Sequence, residues 1–167
     1  MKQLIFLFAL LTTTFTLQAQ EGLKLGFHAG IPVSDTDEVS NFFAGIDGSY
    51  LFSVAESFYV GPTTGYSNFF GKTITSGTIE LEVEDFGLVP IALTGVYTQG
   101  DESFIAGGDF GYGFLTNTTG SDGGFYYNPF IGYDFGGAEG TIGYEGLSVD
   151  GATFAGVYLG IAFSPGN

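Results

Sequence analysis

The chain has no cysteine, no tryptophan and no arginine, and its lysines are Lys2, Lys24 and Lys72 alone. Without cysteine there is neither a disulfide framework nor a residue to carry a lipid anchor. Three basic side chains stand against 18 acidic ones, a formal net charge of −15. That balance excludes a nucleic-acid binder, which needs cations to replace the counterions of phosphates. Charged residues are scarce overall, at 13% of the chain, against roughly 25% in a typical soluble domain. The longest unbroken apolar run is Leu4 to Leu11, far short of the ~20 residues that a spanning helix needs.

What the sequence does have is glycine, 29 residues, and aromatics, 19 Phe and 10 Tyr. Residues 1–20 read as a signal peptide: Lys2 supplies the positive start, Leu4 to Leu11 the apolar stretch, and Leu17-Gln18-Ala19 a processing site after Ala19 or Gln20. Residues 21–167 then form one domain. With no other candidate for a helical span, membrane insertion has to proceed through strands.

The stretch Ser103 to Gly136 shows how. Phe104, Ala106, Gly108, Phe110, Tyr112 and Phe114 share one face of a strand, and Ile105, Gly107, Asp109, Gly111 and Gly113 the other. After the polar loop TNTTGSDGG, the residues Phe125, Tyr127, Pro129, Ile131, Tyr133 and Phe135 repeat the pattern, opposite Tyr126, Asn128, Phe130, Gly132 and Asp134. A period of two sends successive side chains to opposite sides of a sheet. A greasy face set against a small, polar one is the pattern of a barrel in lipid, apolar outward.

The same alternation predicts strands over Gly22–Ile31, Phe42–Phe52, Phe58–Asn68, Ile79–Tyr97, Phe104–Phe114, Phe125–Phe135, Gly140–Ser148 and Phe154–Phe163. The fourth is about twice the length of a tilted membrane strand, so its first third, carrying Glu80, Glu82, Glu84 and Asp85, is expected to stand above the membrane as a ribbon. Connections alternate long and short, as they do in an eight-stranded antiparallel up-and-down transmembrane β-barrel with long loops outside and both chain ends on the periplasmic side. FYVGPTTGYS, SFIAGGDFGYGFL, GFYYNPFIGYDFG, and GYEGLSVDG followed by VYLGIAF, resemble the outer-membrane β-barrel domain family of Gram-negative envelopes, the small OmpX/OmpA-like barrels. The resemblance spans the mature chain and implies residence in the cell outer membrane. Phe163 is followed by SPGN, whereas such barrels often end on an aromatic.

The acids sort by place. Asp35, Asp37, Glu38, Glu80, Glu82, Glu84, Asp85, Asp122 and Asp150 fall at the outer rim, and Glu21, Glu56, Asp101, Glu102 and Glu139 at the inner rim. Asp47, Asp109, Asp134 and Glu145 face the lumen with Lys24 and His28. Such a lumen demands water, protons or a bound cation. With the loop between the fifth and sixth strands centred near Gly120, Asp109 and Asp134 are expected to be diagonal neighbours. Asn117-Thr118-Thr119 matches a glycosylation sequon.

No residue set forms a recognised catalytic, cofactor or metal motif. The expected function is therefore a non-enzymatic, monomeric barrel that presents acidic loops at the cell surface, with little or no general pore. Its partners would be outer-membrane lipid and lipopolysaccharide, and surface or envelope proteins. The alternatives are an outer-membrane hydrolase using His28 with a lumenal Asp, and a secreted lipocalin-like barrel holding a small apolar ligand.

Overall fold

The strand pattern closes on itself. The computed structural model describes residues 22–76, 79–99, 104–117 and 123–165, so the expected signal peptide, residues 1–20, lies outside the described residues. Along the chain run β1 (Leu23–Ser34), β2 (Ser40–Tyr50), β3 (Phe52–Ala55), β4 (Phe58–Gly71), β5 (Thr73–Ser76), β6 (Ile79–Glu82), β7 (Phe86–Thr98), β8 (Phe104–Thr116), β9 (Gly123–Asp134), β10 (Ala138–Val149) and β11 (Ala152–Phe163). Leu51 interrupts one staff, so β2 and β3 follow one another along β4. Neighbours pair antiparallel from β4 through β7, β8, β9, β10 and β11 to β1 and β2, and the β2–β4 ladder completes the ring. The result is an eight-stranded antiparallel barrel with no open edge, which satisfies the backbone internally as lipid requires.

Turn chemistry fits the connections. Asp150 and Gly151 both have positive φ, 48° and 89°, the backbone of a two-residue hairpin that matches strand twist. At the opposite end Gly136 and Gly137 turn the chain between β9 and β10, and Asp134 accepts their N–H groups at 2.7 and 3.4 Å. The excursion predicted from the glutamates is a separate two-stranded ribbon, β5 paired with β6. It is not a continuation of one long strand, because Val83 to Asp85 break the ladder before β7 begins.

Orientation follows the sequence pattern. Phe110, Tyr133 and Leu159 are 60%, 51% and 67% exposed, and Phe27, Ile31, Ile91, Leu93, Phe125 and Ile142 share that outer surface. Within the barrel strands the charged residues are Lys24, Asp47, Asp109, Asp134, Glu139 and Glu145, all at inward-facing positions of the alternation. The apolar-inward arrangement of a lipocalin-like carrier is thereby overturned. In β4 the outward positions include Pro62, Thr64 and Asn68, while Phe69 points in, so its alternation is the hardest to read from sequence. Pro90 has no N–H to give, and the β4–β7 ladder passes from Thr64–Ile91 to Ser67–Leu88, with Thr64 Oγ1 donating to the Pro90 carbonyl at 2.8 Å.

Candidate functional site

The lumen has three layers. Toward the rim of the longer loops, Phe43, Phe69, Phe86, Leu88, Leu147 and Val149 fill it as a buried apolar plug. Phe43 stacks on Phe69 with ring centres 4.8 Å apart, and Phe69 on Phe86 at 4.9 Å. The sequence expectation of an interior built from glycine and small polar groups misses this plug. Its signal is the doublets Phe42-Phe43 and Phe69-Phe70: in a strand, one ring of each must point inward. The first loop is stitched over the same mouth. Thr36 is buried and accepts the Ala155 N–H at 2.8 Å, and Asp35 accepts the Thr153 N–H at 2.9 Å.

Beneath the plug lies a polar belt. His28 on β1 reaches across the sheet, and Gly45 on β2 makes room for it: a Cβ there would lie 2.4 Å from the ring Nε2. His28 Nδ1 is 3.1 Å from Asp47 Oδ2, and Nε2 is 3.0 Å from Ser67 Oγ. The Ser67 hydroxyl donates to Glu145 Oε1 at 3.0 Å, and Tyr126 donates to the same oxygen at 3.3 Å. Alongside, Asn128 Nδ2 donates to Asp109 at 2.8 Å and its Oδ1 accepts the Tyr158 hydroxyl at 3.0 Å. Glu145 Oε2 has no hydrogen-bond partner and stands 4.0 Å from His28 Nε2. Nearer the rim that carries the first and last strand ends, Lys24 pairs with Glu139, and Leu51, Val96 and Ile105 form a smaller apolar cluster.

Each expected lumenal residue can now be placed. His28, Asp47, Asp109 and Glu145 line one cavity of about 20 Å³ together with Ser67, Tyr126, Asn128 and Tyr158. Asp134 is not among them. It caps the β9–β10 turn, and Asp109 faces Asn128 across the β8–β9 ladder, so the expected Asp109–Asp134 pair does not form. Glu139, expected at the rim, turns inward to Lys24 and lines a second cavity of about 80 Å³ with Asp47 and Asp109. Of the expected rim acids, Asp35, Asp37, Glu38, Glu84, Asp85 and Asp150 lie in connections at the loop rim, Glu80 and Glu82 on β6, and Glu56 in the turn after β3. Glu21, Asp101, Glu102 and Asp122 lie outside the described residues, as do Thr118 and Thr119 of the sequon. Ser67 is the partner that sequence reading missed, since no linear spacing joins residues 28, 47 and 67 across three strands.

Asp47, His28 and Ser67 stand in the order of a nucleophilic relay, but the details oppose that chemistry. A nucleophilic serine gives its proton to the imidazole, whereas Ser67 directs its proton to Glu145. Ser67 is only 1% exposed, and the cavity beside it is small, about 20 Å³.

No model of a known protein family matches the sequence, and no curated protein matches it. Solved structures do match by shape. The crystal structure of Ail, the attachment invasion locus protein of Yersinia pestis, aligns over 86% of this chain and 99% of that one at 13% identity, with a TM-score of 0.57. Ail in a phospholipid bilayer nanodisc gives a TM-score of 0.54 at 13% identity over the same shares of the two chains. Ail in complex with the heparin analogue sucrose octasulfate gives 0.52 at 12% identity, again over 86% and 99%. With strand count, closure and apolar exterior already established, the likeness identifies the fold: this chain is an eight-stranded barrel of the architecture used by the outer-membrane protein Ail.

Proposed function

We propose that the protein is a non-enzymatic barrel of the Gram-negative outer membrane that displays acidic loops for attachment or contact with envelope partners. The observation that carries this reading is the division of the surface. The staves present aromatic and aliphatic side chains without a charge among their outward positions, and the acids gather in the connections at the loop rim. The plug of Phe43, Phe69 and Phe86 supports a lumen with little or no general pore. Attachment is the part played by Ail according to its name, but the partner must differ in charge. Ail was crystallised with a polysulfated sugar. Here Lys72 is the one basic residue beyond the staves after residue 21, and its ammonium is held by the Asp37 carbonyl. A cationic partner, or lipopolysaccharide bridged by divalent ions, suits these loops better than a polyanion.

The test is threefold on one preparation. Envelope fractionation should place the mature protein in the outer membrane. Planar bilayers should show no stable conductance. Binding to immobilised polylysine should exceed binding to heparin and weaken with salt. Recovery in the soluble fraction, or a steady open channel, would contradict the proposal.

The Asp47–His28–Ser67 geometry is the one observation that favours a second reading, a hydrolase. That reading requires Ser67 to react with a fluorophosphonate. Burial of Ser67 and its bond to Glu145 lead us to expect no labelling, and labelling lost in Ser67→Ala would establish the hydrolase instead.

A further inference from the structure

The inward positions of the staves change from wet to dry within a few residues. On β2, Asp47 is 48% exposed although it faces the lumen, and Phe43, two inward positions nearer the loop rim, is fully buried. On β4, Thr63 is half-buried, whereas Ser67 and Phe69 are buried. On β10, Thr141 is half-buried and Leu147 is fully buried. The wet part is a single cavity of about 80 Å³. It begins at Ser49, Glu139 and Ala162, each one residue from the inner end of its strand, and reaches Asp109 and Asn128 in the polar belt.

The dry part fills the whole section of the barrel. Phe43 from β2, Phe69 from β4, Phe86 from β7, Tyr126 from β9 and Leu147 from β10 meet in one buried cluster. Phe43 crosses two further staves: Cβ atoms added at Gly30 on β1 and at Gly156 on β11 would lie 2.7 and 2.2 Å from its ring. On β8, Gly113 leaves room for Leu88 and Leu147, which a Cβ there would meet at 2.7 Å. All eight staves therefore close on the cluster. The first loop lies beyond it, bonded to the Thr153 and Ala155 N–H groups, with Asp37 and Glu38 exposed. An ion entering a dry apolar segment loses its hydration without replacement, and hydrophobic constrictions exclude ions by dewetting.

We propose that the lumen is a one-ended vestibule. Small solutes reach it from the inner rim as far as the polar belt, and the ring stack of Phe43, Phe69 and Phe86 seals it against the loop side. The first loop covers this seal and does not make it. The proposal concerns the lumen alone, so a failed attachment test leaves it standing, and its own failure leaves the attachment role standing.

The native chain has no cysteine, so single thiols can report access from each side. Ser49→Cys and Thr63→Cys probe the vestibule, with Asp37→Cys and Glu56→Cys as references for the loop rim and the inner rim. Each full mature barrel is refolded into liposomes and its folded state checked by gel mobility before heating. Silver ion, in chloride-free buffer, is added on one side of the bilayer at a time. Thiols that escaped it are titrated with a maleimide after unfolding. Ser49→Cys and Thr63→Cys should lose their thiols to silver on the Glu56 side and keep them on the Asp37 side. With Phe43→Ala and Phe69→Ala added, Thr63→Cys should react from both sides. With residues 35–39 replaced by a Gly-Ser linker instead, it should stay one-sided. Protection of Thr63→Cys from both sides would overturn the vestibule, and reaction from the loop side past the intact rings would overturn the seal. A double-alanine variant that stays sealed, or a linker variant that opens, would move the barrier away from the rings and overturn their assignment. Should the double-alanine variant not fold, Thr63→Cys with and without the linker still decides between rings and loop.

Discussion

Glycine does its most specific work where a large inward side chain crosses to the next stave. Gly45 seats His28, and Gly156 seats Phe43, whose ring carbon would lie 2.2 Å from an added Cβ. These are packing positions, not turns. In Gly45→Ala the methyl would also meet the Tyr66 carbonyl at 2.6 Å, so two neighbours must shift at once. Overpacking of this kind costs about 1–3 kcal/mol. Urea unfolding from lipid vesicles should show that loss for Gly45→Ala. Adding His28→Ala should recover part of it, because the two positions share one contact and their effects do not add. A fully additive double variant would mean that His28 is not what Gly45 accommodates. Residue types in the lumen were legible from the two-residue alternation, which assigned His28, Asp47, Asp109 and Glu145 to the interior. Their partners were not, because contacts such as Ser67–Glu145 join residues 78 apart and depend on cross-barrel geometry that no local pattern encodes.

At the scale of elements, the staves were readable and their joints less so. β8, β9, β10 and β11 match the expected strands to within two residues at each end, since each alternates large apolar with small or polar residues, whereas β1 runs three residues past its expected end at Ile31, with Pro32 still in register against Gly156. The glutamate-rich segment illustrates the limit. Ile79, Leu81 and Val83 alternate as a strand does, but the segment pairs with Thr73–Ser76 in a sheet of its own. Pairing partner and register are long-range properties, and alternation alone does not supply them. A ribbon outside the barrel ladders should be dispensable for the barrel. Replacing residues 73–82 with a short Gly-Ser linker should leave the folded gel mobility and its melting temperature within about 0.5 kcal/mol-equivalent of wild type. Loss of the heat-modifiable band would show that the ribbon is needed to close the barrel. The same variant should bind polylysine less well, because it removes Glu80 and Glu82.

For the molecule as a whole, the scarcity of charge and the wealth of aromatics have one cause: most of the outer surface contacts acyl chains instead of water. The closed ring leaves no backbone edge to satisfy, so the exterior is free to be apolar. Substituting lysine for Leu159, which is 67% exposed, should destabilise the barrel in bilayers by about 2–4 kcal/mol if it lies near the midplane. In a water-soluble barrel the same change would be neutral, so refolding yield into vesicles of Leu159→Lys separates the two. The plug adds a functional consequence that composition alone conceals: glycines line much of the lumen, yet stacked phenylalanines fill it toward the loop rim.

The absence of cysteine permits one direct measurement of which way the walls face. Single cysteines at Phe110, Tyr133 and Leu159, and at Glu56 in the exposed turn after β3 for contrast, would carry nitroxide labels in the barrel reconstituted into liposomes. Collision rates with oxygen and with a water-soluble nickel chelate would then be compared. Residues 110, 133 and 159 should favour oxygen strongly, with the chelate nearly excluded, and residue 56 should favour the chelate. A chelate preference at the first three positions would place them in water and contradict the membrane-barrel account.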